Sequence, residues 1–303
     1  MTPHPSAAPP STVVLATDLA PRCDRAAARA TRLAARHATA AIAVAAIDPA
    51  PRRARELMRP AEPAWYRPAS PVDAAERQLR QQLAGDVPWQ LQVAERDADA
   101  HLHAALDGLG PEVLVVGGPV REGVLGPTVL GSTVDGLLRR PTMALLLVRD
   151  WVDADYRRVL VASDFSEPSA RALRRARGLF PGARFTLLHG FTLPMLGLRD
   201  GNRGTVVAEG RERLHGEGAR FLADLGTDGE GIELVIEYGD PARLVQQHVE
   251  TFGSDLVVAG THGRGGMHEL VVGSVARRLV TGARGDVLVV RDDDGPRAPD
   301  EAR

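Results

Sequence analysis

Gly260, Gly263, Gly273 and Ser274 are the residues of this 303-residue chain whose types and spacing point most directly to chemistry. They follow a short valine-rich run at 255–259 and precede a helix-like segment at 275–279. Such a run is expected as a buried parallel strand. Glycines just past it let the main chain turn sharply and approach a bound group with no side chain between. A helix beginning at Gly273-Ser274 would offer free N–H groups, the positive end of its dipole and the Ser274 hydroxyl as a cap. Two glycine turns, a bridging loop and a Ser-capped helix start make a cradle for phosphate. A flexible glycine loop that holds nothing fits a bare Gly-x-x-Gly equally well; the preceding strand and the closing Gly-Ser favour the cradle.

Composition narrows the chemistry. The sequence contains no lysine; every Lys/Arg cation is an arginine. A Walker-type loop, whose lysine reaches the outer phosphates, is therefore excluded, and Schiff-base chemistry with it. The formal net charge of −2 argues against non-specific nucleic-acid binding. Cys23 is the single cysteine, which rules out an internal disulfide and suits a reducing compartment. No stretch approaches the roughly 20 apolar residues of a membrane span. The Pro/Ser/Ala-rich residues 1–11 lack the pattern of a signal peptide, so a cytoplasmic protein is expected.

The elements that must position the cradle recur twice. Gly131-Ser132 and Gly273-Ser274 lie 142 residues apart, as do Gly118 and Gly260, and the closing strands 144–150 and 286–292. The opening strands, ending at Asp18 and Asp164, differ by 146. Two units are expected, 1–150 and 151–303. In the first, strands fall at 12–17, 40–47, 89–94, 113–117 and 143–148, with helices at 21–37, 73–83, 98–106 and around 134–138. In the second, strands fall at 158–162, 185–189, 233–237, 256–259 and 287–290. Its helices fall at 166–179, 208–225 and 241–251, with another opening at Gly273-Ser274, and Ser166 is a candidate N-cap. Alternation of this kind implies parallel sheets with helices on both faces. The Pro/Arg-rich residues 49–71 are expected as a long loop or lid, and the tail from about 292 as disordered.

In open parallel sheets ligands bind beyond the carboxyl ends of the strands. Ala162-Ser163-Asp164, His189-Gly190 and the glycine cradle should meet there. The spacing Gly260-x2-Gly263-x9-Gly273-Ser274 closely resembles the nucleotide-binding signature of the universal stress protein family. The resemblance runs from about 11 to 292 and includes Asp164, the turn Gly239-Asp240-Pro241 and the closing strand ending at Arg291. It implies an α/β chain of two tandem doubly wound domains, each a five-stranded parallel sheet of order 3-2-1-4-5 flanked by helices. It also implies pairing of the two units through their last strands, as a pseudo-dimer within one chain, with a further homodimer left open. The implied ligand is ATP, with or without Mg²⁺. Ala162, Ser163 and Asp164 would line base and ribose, and Gly190 would lie beside the adenine. Ala259 and Gly260 would meet the ribose; His262, Gly263, Gly273, Ser274 and Val275 would surround the phosphates. Arg264 is no fixed family ligand, but a guanidinium beside the cradle is suited to phosphate oxygens.

Asp164 has other readings: a turn or cap aspartate, or a carboxylate holding Mg²⁺ through water. His262 and His268 have no carboxylate or cysteine at metal-ligand spacing, and no motif sets a base beside Ser274. No catalytic or metal-ligating residue is assigned. The first unit is a poorer copy: at the 142 offset Arg121 stands for Gly263, while Asp18, Gly118, Gly131 and Ser132 survive. Nucleotide is therefore expected mainly in the second unit. The leading expectation is an ATP-binding regulatory protein of the stress response, acting on an unknown protein partner. A slow Mg-ATPase using Asp164 and a nucleotide-free interaction module are the alternatives.

Overall fold

In a computed structural model of the chain, the described residues are 10–48, 65, 70–107, 109, 112–117, 120–121, 128–129, 132–138, 143–151, 154–193, 203–261 and 273–291. The expected disordered tail lies outside them, as does most of the 49–71 loop. The first unit comprises β1 (Thr12–Thr17), α1 (Asp24–His37), β2 (Ala40–Ile47), α2 (Pro71–Gln82), β3 (Trp89–Glu95), α3 (Ala98–Leu106) and β4 (Glu112–Gly117). A short hairpin of β5 (Val120–Arg121) and β6 (Thr128–Val129) follows, then α4 (Ser132–Leu137) and β7 (Met143–Val148). The second comprises β8 (Arg158–Ala162), α5 (Glu167–Leu179), β9 (Arg184–Phe191), α6 (Arg203–Asp224), β10 (Glu233–Tyr238), α7 (Pro241–Phe252), β11 (Leu256–Gly260), α8 (Ser274–Gly282) and β12 (Asp286–Arg291).

Helix starts differ from expectation where proline is involved. Residues 21–23 form a 3-10 turn before α1, with Cys23 at its N-cap. Pro71, expected to end a loop, instead opens α2. Its missing N–H would be unpaired there in any case, and the Ser70 hydroxyl accepts from Asp73 N–H.

Each unit is a five-stranded parallel sheet of order 3-2-1-4-5, and among the described residues the two join into one ten-stranded sheet, β10-β9-β8-β11-β12-β7-β4-β1-β2-β3. The junction is the antiparallel pair β12–β7, in which Leu288 stands opposite Leu146. Those two leucines occupy equivalent places in their units, so a local two-fold axis passes between them. Successive strand residues face opposite sides of the sheet. Val13 and Leu15 enter a core with α1, α2 and α5; Val14 and Leu114 enter the other with α3, α4, α7 and α8. Burial on both faces explains the continuous Val/Leu/Ala runs that marked the strands.

Candidate functional site

A cleft of about 200 Å³ opens where β8, β9 and β11 end and α7 and α8 begin. Nine of the twelve residues expected in the second-unit site line it: Ala162, Ser163, Asp164, Gly190, Ala259, Gly260, Gly273, Ser274 and Val275. His262, Gly263 and Arg264 lie outside the described residues, as do Gly118 and Gly131 of the first unit. Three helices begin at this end of the sheet, and helix N-termini favour an anion, although that of α7 is already capped by the Asp240 carboxylate.

Two overlapping turns shape the wall after β8. Ser163 Oγ accepts from Phe165 N–H at 3.0 Å, and Asp164 Oδ1 accepts from Ser166 N–H at 3.1 Å. Phe165 between them takes a left-handed conformation at φ 61°. Asp164 Oδ1 also accepts from the Ser166 and Ser169 hydroxyls, the latter at 2.6 Å. The aspartate is therefore a turn residue at the cleft wall, its Oδ1 held by three donors at the start of α5. Ser166 occupies the N-cap position of α5 as expected, but its hydroxyl serves Asp164 and Ser169 rather than the helix. His189 stacks on Phe165, ring centroids 4.5 Å apart, and its Nδ1 lies 2.8 Å from Ser163 O.

The Ser274 cap is corrected. Gly273 is the N-cap of α8, at φ −53° and ψ 144°, and Ser274 is the first helical residue. Gly273 N–H is taken by Thr261 O, which places the chain one residue later on the helix than the motif suggested. The glycines have a second reason to be glycine. A Cβ on Gly260 would lie 2.9 Å from Pro168 O, and one on Gly190 would lie 2.8 Å from Pro241 Cα. Neither has a positive φ; both let a helix start sit directly on a strand end.

Several cleft residues were missed in the sequence. Ser169 is 4% exposed and fixes Asp164. Pro241, Val245, Leu188 and Ala276 supply apolar walls. Ser169 was findable, because it lies 146 residues after Cys23 as Asp164 does after Asp18. The apolar residues carried no signal apart from core residues.

The first unit repeats the turns but gives its aspartate different partners. Thr17 Oγ1 accepts from Leu19 N–H and Asp18 Oδ1 from Ala20 N–H, each at 3.0 Å, and Leu19 has φ 63°. The Cys23 thiol donates to Asp18 Oδ1 at 3.1 Å, and Arg22 pairs with the same carboxylate. Burial works to raise the Asp18 carboxyl, but the thiol, the Ala20 N–H and the Arg22 charge bring it below the usual value. Burial chiefly raises the Cys23 thiol, which stays protonated. Strand register also corrects the repeat: Gly117 pairs with Val148 as Gly260 does with Val290. Gly117, not Gly118, is thus the counterpart of Gly260. Counting onward, Val120 stands for Gly263 and Arg121 for Arg264, with Val120 and Arg121 drawn into the β5–β6 hairpin.

A family model described as the Universal stress protein family matches residues 10–149 and again 155–291. The chain belongs to the universal stress protein family. A universal stress protein of Methanocaldococcus jannaschii is 27% identical over 143 residues, 45% of this chain and 82% of its own length. A Staphylococcus epidermidis relative is 32% identical over 68 residues, so the chain spans only 41% of that protein. Among solved structures, a universal stress protein from Archaeoglobus fulgidus superposes with TM-score 0.58 at 16% identity, covering 93% of this chain and 99% of its own. A functionally unknown protein from Pseudomonas aeruginosa reaches 0.62 at 16% identity, covering 94% of both chains. These likenesses establish the fold for this universal stress protein and leave its ligand to the site. Among the described residues no helix is long and apolar enough to cross a membrane, and no cluster of three or more His, Cys, Asp or Glu is arranged to hold a metal ion.

Proposed function

We propose that the second unit, 151–303, holds an adenine nucleotide, ATP by preference, and that the first unit, 1–150, has given up that role. The observation that carries this is the gathering of Ala162, Asp164, Gly190, Gly260 and Gly273-Ser274 around one cleft at three helix N-termini. The donor set suits the ligand: backbone N–H groups for phosphates, an oriented carboxylate for ribose hydroxyls and an apolar pocket of Leu188, Val245 and Ala276 for a base. His262, Gly263 and Arg264 are proposed to complete the phosphate end. Asp164 is occupied in orienting itself through Ser166 and Ser169, which supports a binding role over that of a general base. The reading is therefore a cytoplasmic nucleotide-responsive regulator whose output is a protein contact. The β7–β12 pairing supports reading the two units as an internal pseudo-dimer. In the first unit Arg22 supplies Asp18 with a counter-charge, and Asp18, Gly118, Gly131 and Ser132 are proposed to bind nucleotide weakly at most.

Calorimetry with ATP and Mg²⁺ on the full chain tests this. One site per chain is expected, weakened about ten- to a hundredfold by Asp164→Asn, the loss of a hydrogen bond to a charged group. Absence of heat and of any thermal shift with ATP would overturn the nucleotide reading and leave an interaction module.

A further inference from the structure

Arg158 and Arg184 open β8 and β9 and stand directly opposite one another in the parallel register. Both line a groove of about 470 Å³ bordered by α7, β9 and β10. Like charges facing one another on neighbouring strands repel. Among the described residues neither guanidinium has an ion pair or a hydrogen bond of its own. Two carboxylates border the same groove, but Glu237 pairs with Arg211 at 2.8 Å, and Glu233 accepts from the Thr186 hydroxyl at 3.2 Å. The equivalent place in the first unit is Thr12 opposite Ala40, so the facing cations belong to the second unit alone.

The rest of the groove suits an apolar ring. Leu188 and Val235 floor it from the sheet, and Leu244 and Phe252 border it from α7. Phe252 is 61% exposed, and His248 lies against it with ring centroids 4.6 Å apart, which together make an aromatic wall. A Cβ on Gly253 would lie 3.0 Å from Arg158 Nη2, so that guanidinium rests against the turn that follows Phe252. The cation pair thus adjoins the aromatic wall. The groove is distinct from the nucleotide cleft: its arginines lie at the strand starts and the cleft lies at the strand ends, with Leu188 as a wall common to both.

We propose that this groove is a second binding site, for a small aromatic carboxylate, whose anionic head lies between Arg158 and Arg184 and whose ring lies against Phe252 and the apolar floor. A carboxylate matches the planar donors of a guanidinium and supplies the counter-charge that the facing arginines lack. The ring would cover the open face of Phe252. The volume falls within the range of small-molecule sites, which combine apolar walls with a few placed polar groups.

The test is calorimetry on the full chain, with naphthoate as the probe and uncharged naphthamide as its control. The wild type is expected to bind naphthoate about tenfold more tightly than naphthamide, the worth of a hydrogen bond to a charged group. Arg158→Thr and Arg184→Ala, which copy the first unit, should each weaken naphthoate about tenfold and leave naphthamide unchanged. Phe252→Ala should weaken both probes about fivefold. Neither arginine variant should unfold at lower urea, because each relieves a like-charge contact. Naphthoate bound no more tightly than naphthamide, or bound undiminished by both arginine variants, would overturn the site. Displacement of naphthoate by saturating ATP would also overturn it, by placing the probe in the cleft, as would a wild type that binds neither probe. A failure of ATP itself to bind would remove only the nucleotide reading, on which this groove does not depend.

Discussion

Gly260 and Gly117 separate two reasons for a glycine at the end of a parallel strand. Both sit at the close of the fourth strand of a unit, in the same register. A Cβ at Gly260 would meet a backbone oxygen at 2.9 Å, whereas one at Gly117 would meet Arg22 O and Cys23 Sγ at an ordinary 3.5 Å. Gly260→Ala is therefore expected to cost about 1–3 kcal/mol by forcing α5 off the strand end. Gly117→Ala should be neutral, or stabilising by up to about 1 kcal/mol through the unfolded chain. Urea unfolding of the two variants decides it; equal losses would show that close packing is not what keeps Gly260. Glycine spacing pointed to residues that line the cleft, but not to the second glycine role of helix seating. That role depends on Pro168, some ninety residues distant, and no local pattern carries it. The same limit hid the Ser274 shift: whether a Gly-Ser pair places glycine or serine at the cap is settled by Gly273 bonding to Thr261.

At the scale of elements, α1 shows what a charge pattern means once its partner is known. Arg25, Arg29, Arg32 and Arg36 recur at helical spacing, and all four reach across to the segment that joins the units. Arg25 bonds Arg149 O, and Arg29 bonds Ala154 O at 2.9 Å. Arg32 and Arg36 both bond the Asp155 carboxylate, each at 2.5 Å. In the sequence this row was only the arginine-rich face of a helix, because its acceptors are main-chain carbonyls and one aspartate more than a hundred residues on. Strands were legible because they are apolar on both faces; a polar face gives no sign of whom it meets. The Arg32 hydrogen bond, foremost, holds the Asp155 carboxyl below its usual value. Its folded pKa is thus depressed relative to about 3.9 in the unfolded chain. The stability it contributes is present above that value and lost as pH falls through the folded pKa. Because the carboxylate is well exposed, the effect is small. Asp155→Asn should lower stability slightly at pH 7 and make no difference near pH 2, as checked by thermal unfolding across that range. A variant equally destabilised at both ends would show that the carboxylate charge is not what matters.

The whole molecule is two similar units about a local axis, and its interface is asymmetric in charge where its backbone is symmetric. Leu146 and Leu288 meet as equivalents. Nearby, Asp135 and Arg277 occupy equivalent helix positions and pair at 3.6 Å, a contact that two identical units would replace with like charges. The largest asymmetry is Asp286, which is fully buried and corresponds to Ala144 in the first unit. Its Oδ1 accepts from Arg149 N–H at 2.7 Å and Asp150 N–H at 3.0 Å, and its Oδ2 accepts from Tyr156 Oη. Arg29 of α1 lies 3.8 Å from the same oxygen and 3.8 Å above the Tyr156 ring. One carboxylate of the second unit thus collects Arg29, Arg149 and Asp150 from the first unit and Tyr156 from its own. Burial, foremost, and the Asp286 charge push the Tyr156 hydroxyl well above its usual pKa, so it remains a donor throughout the neutral range. Replacing Asp286 by the alanine found in the first unit would leave those N–H groups, the phenol and the Arg29 charge without their acceptor. The expected loss is about 3–5 kcal/mol, the scale for breaking one side of a buried charged pair. Urea unfolding followed in both units should then move toward two transitions, because a buried polar contact between them is lost and the β7–β12 pairing and apolar packing are left to couple them. The double variant Asp286→Ala with Arg29→Leu should recover part of the loss by removing the stranded cation. If Asp286→Ala unfolds in one transition at the wild-type midpoint, the paired closing strands alone unite the molecule and the buried carboxylate contributes little to it.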